Sequence, residues 1–180
     1  IETEQATLEV RRRRVQALVD QAKHDPARLD HALREAERLV PYTVGDRREN
    51  PEARGLLGRV LKQRYAAPSR AGTRDDEALR RAVRTYVDAY YEDEGRPVWH
   101  GINVVALLAR AKRDRVPVAA PETHRQVAEA LRRQVERRGA EMNAWDIATA
   151  PEAGVALDDG SGAARCAHRN AAHPGAGARR

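Results

Sequence analysis

Residues 75–92, DDEALRRAVRTYVDAYYE, decide the fold class. Apolar side chains fall at Ala78, Leu79, Ala82, Val83, Tyr86, Val87, Ala89 and Tyr90, and charged residues fill most of the gaps. Spacings of three and four place these positions on one stripe of a 3.6-residue helix. No segment sustains the period-2 alternation of a strand, so the expected fold is all-α.

Working outward, the same periodicity recurs on both sides. A first helix is expected from about Glu2 to His24, with Leu8, Val15, Leu18, Val19 and Ala22 inward. Asp25-Pro26 opens a second helix, since Asp caps a helix start and proline suits its first position. That helix carries Leu29, Ala32, Leu33, Ala36, Leu39 and Val40 and is expected to end before Pro41. Asn50-Pro51 repeats the device for a third helix reaching about Tyr65, with Ala53, Leu56, Leu57, Val60 and Leu61 inward and a loop from Ala66 to Thr73 behind it. Beyond the quoted stretch, Gly95 to Pro97 makes a break. A fifth helix, about Trp99 to Lys112, is the most apolar, with Ile102, Val105, Ala106, Leu108 and Ala109. A sixth is expected from about Glu122 to Arg138, with Val127, Ala130, Leu131 and Val135 inward and Gly139 as its cap. A seventh, about Glu141 to Leu157, is kinked or divided by Pro151. The expected organisation is one helical-repeat domain over residues 1–158. A Gly/Ala/Arg-rich tail over 159–180, with no apolar stripe, is expected to be disordered or frayed.

About seven helices joined by short loops suit antiparallel pairs stacked into an α-α superhelix, the arrangement of the 34-residue tetratricopeptide repeat. Leu57-Gly58 fits the Leu-Gly of a first repeat helix, where glycine lets the partner helix approach. Ala82, Tyr86 and Ala89 fit the small, aromatic, small spacing of a second. The two halves stand about a dozen residues further apart than the regular repeat. Three stretches, Leu57 to Lys62, Ala78 to Tyr91 and Trp99 to Leu108, resemble the tetratricopeptide-like TRAFs-binding domain. That domain belongs to the regulatory region of apoptosis-signal-regulating mitogen-activated protein kinase kinase kinases and has bacterial relatives. Gly101-Ile102-Asn103 after an aromatic residue is the most specific element, and Trp145, Ala148, Thr149, Glu152 and Ala153 resemble a later helix of the family. The resemblance covers roughly residues 27 to 176. It implies a helical scaffold in a signalling protein, with bacterial relatives in signalling or defence assemblies.

Composition narrows the remaining classes. Of 180 residues, 33 are basic and 27 acidic, giving a net charge of +6. That surplus invites a nucleic-acid reading, yet residues 161–180 hold four arginines and no acid, so the other 160 residues carry only +2. Arg outnumbers Lys heavily and Ala is abundant, which fits GC-rich bacterial coding. With mean hydropathy −0.75 and Val104 to Ala109 as the longest apolar run, no window approaches the ~18 apolar residues of a membrane span. One cysteine forms no internal disulfide, and no signal-peptide pattern opens the chain, so a reducing, cytoplasmic compartment is expected. The first residue, Ile1, suggests a processed or excised segment.

The expected partner is a protein or peptide segment lying in a groove between helix pairs, and the candidate contacts are Arg59, Lys62, Trp99, His100 and Asn103. Arg59 and Lys62 lie off the inward stripe, where they can meet acidic side chains or a terminal carboxylate or simply form a solvated face. Asn103 beside Gly101 can grip peptide backbone or satisfy the preceding turn of its own helix. Trp99, with Tyr86, Tyr90 and Tyr91, can form an aromatic platform or pack between helices. Arg11 to Arg14 points around most of a helix circumference, so it makes no one-sided phosphate stripe and reads as a solvated segment. Cys166, His168 and His173 lack a fourth ligand at zinc-site spacing. No phosphate loop, dinucleotide fingerprint, nucleophile elbow or His-Glu-x-x-His motif is present, so no enzyme, cofactor or metal is expected. Two alternatives come from other classes: an Arg-rich helical module for nucleic acid, and a spacer or homo-oligomerisation segment of a larger protein.

Overall fold

The structure, a computed structural model, describes residues 2–22, 25, 27–67, 74–93, 95 and 97–138. Six α-helices and no strand occur among them: α1 (Glu2–Gln21), α2 (Arg28–Tyr42), α3 (Glu49–Ala66), α4 (Asp76–Glu92), α5 (Val98–Asp114) and α6 (His124–Arg138). The all-α expectation holds. The seventh helix expected near Glu141 to Leu157, the Gly139 cap, the 159–180 tail and the group Cys166, His168, His173 lie outside the described residues. The chain divides into two compact units, Ile1–Asp93 and Glu94–Arg180.

In the first unit, α1 packs on α2, α2 on α3 and α3 on α4, while α1 also reaches α3. Ion pairs fix the register. Arg54 near the start of α3 meets Glu92 at the end of α4 at 2.6 Å, and Arg64 near the end of α3 meets Asp75 just before α4 at 2.8 Å. Neighbours in sequence therefore run antiparallel. By contrast, Arg12 of α1 pairs with Glu49 of α3, and Asp20 of α1 with Arg59 of α3, at sequence separations of 37 and 39. Arg81 of α4 pairs with Glu37 of α2 at a separation of 44. Helices two apart thus run parallel, the pattern of a two-helix repeat, with a period of 37 to 44 residues against the ~34 of the regular tetratricopeptide unit.

The core of this unit comes from the expected stripes: Val15 and Val19 of α1, Ala32 and Ala36 of α2, Val60 and Leu61 of α3, Leu79, Val83 and Tyr90 of α4. Its tightest point is Gly58 against Tyr86. A Cβ built on Gly58 would stand 2.8 Å from Tyr86 Cδ2 and Cζ, and closer still to Cε2. The absence of that atom is what lets the α4 aromatic lie on the α3 backbone, as the Leu-Gly reading requires. The Tyr86 hydroxyl, buried with its ring, donates to the Gly55 carbonyl at 3.2 Å. Burial pushes this phenol above its ordinary range, so the hydroxyl stays a donor.

Helix starts differ from expectation. α3 begins at Glu49, not at Asn50-Pro51, because Asp46 supplies the cap: its Oδ1 accepts from the backbone N–H of both Arg48 and Glu49 at 2.9 Å. Those two N–H groups, Glu49 first, hold the Asp46 carboxyl below its ordinary value. Asn50 faces back instead, donating from Nδ2 to Thr43 Oγ1 at 3.0 Å. The turn between α2 and α3 closes from Asp46 N–H to the Thr43 carbonyl, with Gly45 at φ 87°, a value that favours glycine. α2 also runs through Pro41 to Tyr42 rather than stopping before it. The proline lacks the N–H that would bond the Glu37 carbonyl, a loss of one bond near the helix end, and Thr43 closes the helix by donating both its N–H (3.1 Å) and its hydroxyl (2.8 Å) to the Val40 carbonyl. Asp25, by contrast, serves the start of α2 as expected: its side chain accepts from the N–H of Ala27, the residue before the helix, at 3.2 Å, and its carbonyl accepts from the Arg28 N–H at 3.0 Å.

In the second unit α5 packs on α6. The buried face of α5 is broader than the expected stripe, taking in Val104, Leu107 and Ala111 beside Ile102, Val105 and Leu108, while Ala106 is exposed. Arg115 ends α5 in the left-handed region at φ 57°, its N–H bonded to the carbonyls of Ala111 and Lys112. Thr123 and Gln126 form a capping box on α6: Gln126 Oε1 accepts from Thr123 N–H at 2.9 Å, and Thr123 Oγ1 accepts from Gln126 N–H at 3.4 Å. Val127, Ala128 and Leu131 are buried, while Ala130 and Val135 are half-buried.

Candidate partner-binding surface

Parallel packing of α1 and α3 leaves a furrow between them. Positions 12, 16 and 20 recur at one helical turn along α1, and 52, 56 and 59 do so along α3, so each row keeps to one side of its helix, and Arg12, Gln16, Glu52 and Leu56 from the two rows line one recess. One end of the furrow is closed by Arg12 with Glu49 at 3.3 Å and the other by Arg59 with Asp20 at 3.0 Å. Between them lies a recess of about 430 Å³ lined by Arg12, Arg13, Gln16, Arg48, Glu52 and Leu56.

Its chemistry is cationic with one aliphatic contact. Three guanidinium groups face a single lining carboxylate, Glu52, around half-buried Leu56. Arg12 and Arg13 are already engaged at the margin, by Glu49 and by Glu9 respectively. Arg48 is exposed and stands at the positive end of the α3 dipole. Gln16 Nε2 donates to Asp20 Oδ2 at 3.1 Å, so the α1 wall is ordered by its own side chains.

Of the candidate contacts read from sequence, Arg59 lies on this furrow, about two-thirds screened and ion-paired to Asp20. Lys62 is half-buried one turn further along α3. Trp99, His100 and Asn103 belong to α5 in the second unit. There the Trp99 and His100 rings stack, centroids 3.6 Å apart and inclined by 30°. His100 is fully buried, Trp99 and Asn103 half-buried, and Asn103 Nδ2 donates to the Trp99 carbonyl at 2.8 Å. The candidates therefore form two groups, Arg59 with Lys62 and Trp99 with His100 and Asn103. Tyr86 and Tyr90 are core residues, which removes them from any aromatic platform; Tyr91 is half-buried, edge-on to Tyr90 at 5.0 Å.

Sequence reading missed Arg12, Arg13, Arg48 and Leu56 as surface-forming residues. The Arg11 to Arg14 run does point around the helix: Arg11 stacks on Tyr42, Arg12 meets Glu49, Arg13 meets Glu9 and Arg14 meets Glu35. Two of the four share the recess with Arg48, a juxtaposition set by the 37-residue offset between parallel helices that no local pattern encodes. Among the described residues, no group of three His, Cys, Asp or Glu side chains is placed to hold a metal ion, and no helix is long and apolar enough to cross a membrane.

The sequence matches the family model described as Tetratricopeptide Repeats-Sensor over residues 2–108. No curated protein and no solved structure matches the chain. The match spans all four helices of the first unit and α5 through Leu108.

Proposed function

Because this chain belongs to the Tetratricopeptide Repeats-Sensor family, we propose that it works as a non-catalytic scaffold that holds a segment of another protein in the furrow between α1 and α3. The observation that carries this reading is the furrow itself, two parallel first helices of successive pairs bounding an open recess with ordered polar walls. Between the Arg12–Glu49 and Asp20–Arg59 pairs each helix advances about 12–15 Å, the span of about four extended residues, so a short peptide segment fills the furrow. Arg59 and Lys62 stand at its far end as further contacts, and Trp99, His100 and Asn103 on α5 as a second patch. The resemblance to the TRAFs-binding domain and the Arg- and Ala-rich composition support a regulatory module of a bacterial signalling or defence protein.

The test is a peptide array probed with the whole chain and with Leu56→Asp and Arg59→Glu variants of unchanged helicity. Capture of a defined peptide set by the native chain, reduced in both variants, supports the scaffold reading. No captured peptide, or capture indifferent to both changes, overturns it.

A further inference from the structure

We infer that the occupant of the recess between α1 and α3 is an acidic peptide in which carboxylates alternate with an aliphatic side chain, an inference that rests on the scaffold reading. Arg12, Arg13 and Arg48 converge on one recess from two helices, with Gln16 as a further donor and Glu52 as the sole lining acid. The lining carries two more positive charges than negative, and guanidinium groups bind carboxylates through paired N–H donors. Leu56, half-buried among them, offers an aliphatic surface that a fully charged ligand would leave desolvated and unused.

The surrounding carboxylates specify the occupant further. Glu49 already occupies Arg12, and Glu9 already occupies Arg13. These side chains act as internal stand-ins for the ligand: a peptide carboxylate must displace them, and removing one of them should tighten binding. Glu49, Glu9 and Glu52 disfavour a continuous phosphate backbone, which cannot avoid these carboxylates on its way along the arginines. Separate carboxylates spaced by apolar residues avoid that repulsion, so the geometry favours peptide over nucleic acid.

The experiment titrates the full chain into a fluorescein-labelled heptapeptide of alternating Glu and Leu and follows anisotropy at low salt, beside peptides with Gln for Glu and with Ser for Leu. The inference expects saturable binding with Kd below about 100 μM, at least tenfold weaker for the Gln peptide and weaker for the Ser peptide. Arg48→Glu, at an exposed position, should weaken it at least tenfold, and Glu49→Gln should tighten it about threefold, since the Asp46 cap does not use the Glu49 side chain. Equal binding of the Gln peptide, no response to Arg48→Glu, or weaker binding in Glu49→Gln would overturn it. So would duplex DNA that displaces the peptide and loses affinity in the same variants. If the acidic peptide fails while the array yields neutral or basic peptides lost in Leu56→Asp, this inference falls and the scaffold reading stands; if the array yields nothing, both fall.

Discussion

Gly58→Ala tests the packing that defines the first unit. The added Cβ would sit within 2.8 Å of two Tyr86 ring atoms and closer to a third. The ring cannot yield cheaply, because Tyr86 is only 2% exposed and its hydroxyl is tied to the Gly55 carbonyl one turn away on α3. Overpacking of this kind costs about 1–3 kcal/mol, with a pinned ring at the upper end. Alanine regains about 1 kcal/mol of helix preference over glycine. The net expectation is a loss of about 2 kcal/mol. With a urea slope on the order of 2 kcal/mol/M, the unfolding midpoint of the whole chain should fall by about 1 M, followed by circular dichroism. Tyr86→Val removes all three clashing ring atoms, so in that background Gly58→Ala should be neutral or stabilising, giving a coupling of at least about 2 kcal/mol. If Gly58→Ala stabilises the native chain, or costs the same in both backgrounds, the close approach of α3 and α4 is not what places glycine there.

Further expectations concern the helix ends. Asp75→Ala removes the α4 cap on the Ala78 N–H and should cost about 1 kcal/mol, while Asp75→Asn should cost much less; the Arg64 ion pair is over a third exposed and adds little. Burial raises the Asp75 carboxyl, but Arg64 and the Ala78 N–H outweigh it and hold the group below its ordinary value. Its stabilising contribution is therefore complete above about pH 4 and fades as pH falls through the lower folded-state value, so the cost of Asp75→Ala should shrink between pH 7 and pH 3. Desolvation, then Lys112 and Arg125, depress the His124 imidazole. NMR titration should place it below the ordinary ~6.5, with stability at its maximum above that value and lost as pH falls through the folded-state value. Thr123→Ala should cost about 1 kcal/mol and speed amide exchange in the first turn of α6 more than in α5.

The helices were legible because each burial stripe is local. Residues 78 to 90 mark their buried face through spacing alone, and Leu57-Gly58 with Tyr86 foretold the close approach the structure contains. Caps were less legible, since several polar residues compete for each helix start: Asn50-Pro51 offered the better pattern, yet Asp46 reaches two N–H groups from a turn closed by Gly45. Thr123 to Gln126, by contrast, carries the Thr-x-x-Gln signature of a capping box, and the structure forms it. The recess was not legible. Arg12, Arg13 and Arg48 meet only because α1 and α3 run parallel at a particular offset, and that offset is a property of the packed stack.

Amide chemical-shift mapping of the full chain titrated with the Glu-Leu heptapeptide tests the central claim most directly. The account predicts perturbations concentrated at residues 12–20 of α1 and 48–59 of α3, reduced by Arg48→Glu and enhanced by Glu49→Gln. Perturbations confined to α5 and α6, or none at saturating peptide, would contradict it.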